Sequence, residues 1–118
     1  MELKGKTALI TGSTGSGIGR GKAFRLASEG ANIILNHGTY HWTGHALKDA
    51  ADGANRVAKV VEELGGKALM LPADTRDPDQ VKAMVDAGME KFGAIDILEL
   101  FSSLRRGLSV WLFLFVSC

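Results

Sequence analysis

The chain has 118 residues, which is enough for one domain. Hydrophobic residues make up 46% of it and charged residues 23%, a composition that is ordinary for globular proteins. Its formal net charge of +1 offers no basic surface for nucleic acid or an anionic membrane, and we expect neither partner. The single cysteine, Cys118, excludes a disulfide within the chain. The most apolar run, residues 110–116, is far shorter than the roughly 20 residues that span a bilayer, and no signal-peptide stretch precedes Thr7. We therefore predict a cytoplasmic protein.

Short apolar runs bounded by glycine or polar residues predict four buried strands. They comprise residues 7–11, 31–35 and 68–71, and a fourth that opens at residues 95–98. Between the first two strands, residues 18–28 predict a helix that ends before Gly30. A polar connection follows the second strand, from Asn36 to about Lys48.

Apolar residues at helical spacing predict two more helices. The second helix has an apolar face and ends at Gly65-Gly66; the face consists of Val57, Val60, Val61 and Leu64. In the third helix, Asp77 is the expected N-cap, Pro78 the first helical residue and Gln80 the partner at capping-box spacing, with Gly93 as the stop. Its predicted apolar face consists of Val81, Met84, Val85, Met89 and Phe92.

Strand and helix alternate three times before the last strand. Right-handed crossovers turn this order into a parallel sheet with helices on both faces. The predicted fold class is therefore α/β, a Rossmann-type sheet of about four strands and three helices that is incomplete and carries an atypical C-terminal tail.

A glycine-rich loop, residues 11–19, lies between the first strand and the first helix, with four glycines among residues 12–19. Glycines at this turn let the backbone approach a diphosphate, which the free N–H groups of the helix start also bind. A turn needed only for chain reversal is the simpler alternative. The loop's candidate cofactor-binding residues are Thr11, Gly12, Ser13, Thr14, Gly17, Ile18 and Gly19.

The phosphate loop of nucleoside triphosphatases is a different interpretation of the same region, because Gly21-Lys22 matches its glycine-lysine pair. That motif also requires glycine where Ser16 stands, and serine or threonine where Ala23 stands. Without that hydroxyl no magnesium ligand is present, so this alternative fails.

These motifs resemble the short-chain dehydrogenase/reductase family over residues 3–98. Its motif T-G-x-x-x-G-x-G is matched at Thr11, Gly12, Gly17 and Gly19, with one extra residue between Gly12 and Gly17. The segment Phe92-Gly93-Ala94-Ile95-Asp96-Ile97-Leu98 resembles the family's F-G-x-I-D-x-L. Within the family, 3-oxoacyl-carrier-protein reductases and 3-hydroxybutyrate dehydrogenases are the most similar in style.

The resemblance implies NAD or NADP as cofactor, with Asp74 at the adenine ring and Thr75 beside it. The second strand of such folds usually ends in an acidic residue that binds the ribose hydroxyls of NAD. Here Leu35-Asn36-His37 stand at that position, which makes Asn36 a further candidate. No carboxylate repels a 2′-phosphate and no arginine attracts one, although a protonated His37 would favour it. The choice of cofactor stays open.

Three histidines, His37, His41 and His45, are spaced to line one face of a helix, which suggests a zinc site. Glycines at positions 38 and 44 disfavour that helix, and no Asp, Glu or Cys lies within the run. We expect a loop that covers the sheet edge and no metal.

The family's catalytic residues have no counterpart. The resemblance implies a serine and a Tyr-x-x-x-Lys pair, whereas the only tyrosine, Tyr40, has Gly44 four residues later. After Leu98 the family's N-N-A-G is missing, and residues 99–118 hold the only cysteine and three of the five phenylalanines. We therefore predict a nucleotide-binding half-domain at 1–98 and a non-family tail at 99–118, produced by a shifted reading frame or an alternative end.

Three hypotheses follow from this pattern. The chain is a short-chain oxidoreductase cut before its catalytic residues and inactive alone, a dinucleotide-binding module without catalysis, or a product without a stable fold. The family's usual oligomer interface would lie beyond this chain.

Overall fold

The computed structural model describes residues 2–11, 18–37, 47–74 and 76–99. Strands and helices alternate along the chain in the predicted order. They are β1 (Thr7–Ile10), α1 (Ile18–Ser28), β2 (Asn32–His37), α2 (Leu47–Glu63), β3 (Lys67–Pro72), α3 (Pro78–Phe92) and β4 (Ile97–Glu99).

The four strands form one parallel sheet in the order β3-β2-β1-β4. In the middle of the sheet, Leu9 of β1 lies between Ile34 of β2 and Leu98 of β4. The predicted Rossmann-type α/β fold is therefore confirmed.

Helices cover both faces of this sheet, which explains why its central strands are apolar on both sides. Ala8, Ile10 and Ile33 face α1 and α2, in a core completed by alanines and valines of those helices. Leu9 and Ile34 face the opposite way and pack against α3. The side chains of β1 are fully buried for this reason.

Helix α3 begins and ends as the sequence predicts, but the partner of Gln80 differs from a simple capping box. Asp77 accepts a hydrogen bond from the Asp79 N–H at 3.0 Å, and the Gly93 N–H donates to the Met89 carbonyl at 2.7 Å. Gln80 donates from Nε2 to Asp77 Oδ2 at 3.1 Å, while its Oε1 accepts from the Asp74 N–H at 2.8 Å. Gln80 thus joins the helix start to the end of β3.

The predicted apolar faces of two helices each include one residue that is wrongly placed. Met89 of α3 and Leu64, just after α2, are exposed. In α3 it is Gly88 that continues the spacing of the buried Val81 and Val85. A Cβ on Gly88 would lie 2.5 Å from Ile34 Cδ1, so this close approach of helix and sheet leaves Met89 on the outer side.

The polar residues after the second apolar run also differ from the prediction. Asn36 and His37 were expected to begin the connection, but both belong to β2, where they pair with Leu71 and Pro72. Backbone pairing with β3 continues there irrespective of the polarity of the side chains.

Candidate cofactor-binding site

The carboxyl ends of the four parallel strands meet at one edge of the sheet, which we call the carboxyl edge. From β1 the chain proceeds outward to β2 and β3, then returns to place β4 on the other side of β1. The strand order therefore reverses between β1 and β4. Such a switch point opens a crevice at the carboxyl edge, where open α/β sheets bind ligands.

The glycine-rich loop connects β1 to α1 at this switch point. Its first residue, Thr11, is fully buried, and its N–H donates to the Glu99 carbonyl at 3.0 Å, which extends the pairing of β1 with β4. Ile18 and Gly19 begin α1, and the first N–H groups of a helix have no partner within the helix itself. The other candidates of this loop, Gly12, Ser13, Thr14 and Gly17, lie outside the described residues.

Asn36, the candidate at the end of β2, is buried and holds the backbone of β3. Its Nδ2 lies 3.3 Å from the Ala73 carbonyl oxygen and 3.4 Å from those of Leu71 and His37. With its amide group directed at these carbonyls, Asn36 fixes the strand ends that border the crevice.

His37 follows Asn36 at the mouth of the sheet. Alternation along β2 places its side chain on the face shared by Ile33 and Leu35. Its ring Nδ1 is buried and has no hydrogen-bond partner, the one such side-chain atom within the described ranges. Buried polar atoms in proteins are normally hydrogen-bonded, so the unpaired Nδ1 makes His37 a candidate for a ligand contact.

Asp74, directly beyond β3, is held by Arg76. Asp74 Oδ1 accepts from the Arg76 backbone N–H at 2.9 Å and from its Nε at 3.0 Å, and Oδ2 accepts from a terminal guanidinium nitrogen at 2.9 Å. The side-chain hydrogen bond from Arg76 is the main cause that lowers the pKa of the Asp74 carboxyl, against burial, which raises it. Asp74 is therefore ionised at neutral pH.

Glu99 places a second carboxylate at the carboxyl edge, on the far side of the crevice. Its Oε1 lies 3.7 Å from Lys22 Nζ of α1. The pair spans the gap between the last described strand and the helix after the glycine loop, and sequence reasoning did not anticipate it.

The structure thus brings Thr11, the start of α1, His37 and Asp74 to one edge of the sheet. Thr75, Tyr40, His41 and His45 lie outside the described residues. Within the described ranges no three metal-ligating side chains cluster, and no helix has the length and apolar character of a membrane span. The role of Arg76 as the partner of Asp74 was not predicted from the sequence. The position of Arg76 two residues after Asp74, in a tight turn, is the feature that could have indicated this contact.

Comparisons with known proteins agree with this geometry. A family model described as short chain dehydrogenase matches residues 6–100. A 3beta-hydroxysteroid dehydrogenase from Eggerthella lenta is 35% identical over 96 residues, which cover 81% of this chain and 33% of that protein.

Two solved structures match as well. A dehydrogenase/reductase from Sinorhizobium meliloti 1021 gives a TM-score of 0.81 at 26% identity, over 98% of this chain and 50% of that one. A short chain dehydrogenase from Burkholderia cenocepacia J2315, in complex with NADP, gives a TM-score of 0.69 at 37% identity, over 83% of this chain and 36% of that one.

The sheet order and the position of the glycine-rich segment after β1 define a Rossmann-type α/β protein. This chain belongs to the short chain dehydrogenase family, as its glycine motif predicts. It spans about a third of the length of the curated relatives that it matches.

Proposed function

We propose that the chain supplies the cofactor-binding part of an oxidoreductase that transfers hydride between a nicotinamide dinucleotide and a substrate. The observation that carries this proposal is the position of the glycine-rich connection, between β1 and α1 at the switch point of the sheet. A diphosphate at that point meets backbone N–H groups and the positive end of α1. The loop residues that we expect around this diphosphate are Gly12, Ser13, Thr14 and Gly17. Thr11 on one side and Ile18 and Gly19 on the other connect them to β1 and α1.

The described residues fit an adenosine dinucleotide. The unpaired Nδ1 of His37 needs a polar partner at the place where the fold would hold the ribose. Asp74 presents an ionised carboxylate beyond the neighbouring strand, suited to an amine of the base, with Thr75 beside it. Asn36 keeps the ends of β2 and β3 together at this edge.

The bound nicotinamide supplies the hydride chemistry. The residues of this chain bind and orient the cofactor, and a proton donor must stand beside the substrate oxygen. The sequence contains no Tyr-x-x-x-Lys. We therefore propose binding without turnover for these 118 residues alone.

We further propose that the cofactor is NADP(H) rather than NAD(H). No carboxylate stands at the end of β2, where one would repel a 2′-phosphate, because Asn36 is an amide directed at backbone carbonyls. The buried Nδ1 of His37 is a partner for a phosphate oxygen. The related short chain dehydrogenase from Burkholderia cenocepacia was solved with NADP.

Fluorescence titration of the chain with NADPH and NADH tests both proposals. We expect saturable binding of both, tighter for NADPH. His37→Asp should weaken NADPH binding relative to NADH by about tenfold, since a carboxylate there repels the 2′-phosphate.

Lys4→Gln is the matched control, because it lowers the net charge by a similar amount at the opposite edge of the sheet. It should leave the NADPH-to-NADH ratio unchanged. Equal or tighter binding of NADH to the unmodified chain contradicts the NADP(H) assignment, and failure to bind either dinucleotide contradicts the proposed function itself.

A further inference from the structure

The segment between β3 and α3 holds Asp74 by its backbone as well as by its side chain. The Asp74 N–H donates to Gln80 Oε1 at 2.8 Å, and its carbonyl accepts from the Asp77 N–H at 3.0 Å. Gln80 in turn donates to Asp77, the N-cap of α3. The direction of the Asp74 side chain is therefore set by the rigid start of a helix, before any ligand arrives.

Hydrogen bonds from Arg76 occupy most of the carboxylate of Asp74. A carboxylate has about four acceptor sites, two on each oxygen. Both sites of Oδ1 are taken by the backbone N–H and Nε of Arg76, while Oδ2 accepts one terminal nitrogen of the same guanidinium. As far as the described residues show, one acceptor site on Oδ2 is left over.

Asp74 itself lies at the carboxyl edge, next to the end of β2. Ala73, the neighbour of Asp74, donates its N–H to the His37 carbonyl at 3.0 Å, so the two strand ends are joined there. The Asp74 side chain is only 16% exposed, whereas that of Arg76 is 55% exposed. The carboxylate is therefore mostly shielded from solvent, while the guanidinium that binds it is half exposed.

We propose that Arg76 is a positioning residue that aims the remaining acceptor of Asp74 Oδ2 at the cofactor base and so makes the site selective for an exocyclic amine. Adenine carries an amine at its six-position, whereas hypoxanthine carries a carbonyl there. A carbonyl facing the fixed carboxylate brings two acceptors together without a proton between them. This inference rests on the proposed dinucleotide binding.

The protonation state of Asp74 agrees with this role. Because Arg76 lowers the pKa of the Asp74 carboxyl, this group is ionised at neutral pH. It then accepts hydrogen bonds and cannot donate one. The pair of Asp74 and Arg76 stabilises the fold at every pH above the ordinary pKa range of aspartate. This stabilisation is lost as the pH falls through the lowered pKa of Asp74. Selectivity for the amine should therefore persist throughout the neutral range.

The test compares two dinucleotides that differ only at the six-position of the base, NADPH and its hypoxanthine analogue. Titrations of the full chain, followed by nicotinamide fluorescence at neutral pH, give a ratio of two dissociation constants. We expect the unmodified chain to bind the adenine form about tenfold more tightly, the size of one charge-assisted hydrogen bond. Arg76→Gln should reduce that ratio to near one.

Arg76→Lys serves as a second variant that retains the charge but cannot donate in parallel to both carboxylate oxygens. It should also lose most of the selectivity. Arg25→Gln is the matched control, because it also removes an ion pair between an arginine and a carboxylate. Arg25 and Glu29 lie 2.8 Å apart at the end of α1, far from the crevice. Circular dichroism confirms that each variant is folded.

The outcomes separate this inference from the proposed function. Equal binding of the two dinucleotides by the unmodified chain, or a ratio unchanged in both Arg76 variants, overturns the role of Arg76 and leaves dinucleotide binding intact. A larger ratio in Arg76→Gln overturns it as well, because Arg76 would then compete with the base for Asp74. Failure to bind either dinucleotide overturns both proposals.

Discussion

Ile34→Ala is expected to lower the free energy of unfolding by about 2–5 kcal/mol, the usual cost of a large-to-small change in a packed core. Ile34 is fully buried in β2, between Leu9 of β1 and Leu69 of β3. On the face toward α3, the helix approaches closely, since a Cβ on Gly88 would lie 2.5 Å from Ile34 Cδ1. Neither the strands nor the helix can close over the cavity, so the cost should lie in the upper part of that range.

Urea denaturation followed by circular dichroism measures this loss. Met70→Ala in β3 is the control, because Met70 is 37% exposed and its truncation should change stability by no more than about 0.5–1 kcal/mol. Equal losses in the two variants would show that the contact between β2 and α3 does not stabilise the fold as described.

Gly66→Ala should destabilise the protein by about 1–3 kcal/mol, although the change adds only a methyl group. A Cβ on Gly66 would lie 2.6 Å from the Ala31 carbonyl oxygen and 3.1 Å from Ala27 Cβ. That oxygen cannot retreat easily, since the Ala31 N–H is bonded to the Leu26 carbonyl at 3.2 Å and Gly30 turns the chain with a φ of +88°.

The control for Gly66→Ala is the same substitution at Gly21 in α1. A Cβ there would meet no described heavy atom within 4 Å, and alanine favours a helix over glycine by roughly 0.5–1 kcal/mol. Gly21→Ala should therefore raise the urea midpoint while Gly66→Ala lowers it. A rise in the urea midpoint of Gly66→Ala as well would mean that backbone entropy, and not the clash with Ala31, governs that site.

Features that repeat along the chain could be predicted from the sequence. The alternation of apolar runs and helical spacings indicated the parallel sheet, and the cap formed by Asp77 and Gly93 located α3. The position of the glycine-rich loop could be predicted because this motif occurs at the first connection from a strand to a helix. These signals are local, and the sheet confirms the order of elements that they implied.

Features that depend on neighbours in space could not be predicted in this way. Asn36 is polar by sequence, yet the carbonyls of β3 provide its partners and draw it into the strand. Gly88 carries no hydrophobic signal, although it makes the closest contact between α3 and the sheet. The partner of Asp74 became clear only once the turn after β3 brought Arg76 back onto its carboxylate.

The most direct test of dinucleotide binding at the carboxyl edge is a map of amide chemical shifts in the ¹⁵N-labelled chain as NADPH is added. The proposed site predicts concentration-dependent shifts at Thr11, His37 and Asp74, at the carboxyl ends of the first three strands. The amides of Asn32 and Asp96, at the opposite edge, should stay in place. Shifts confined to those two residues, or none at saturating NADPH, would contradict binding at this edge.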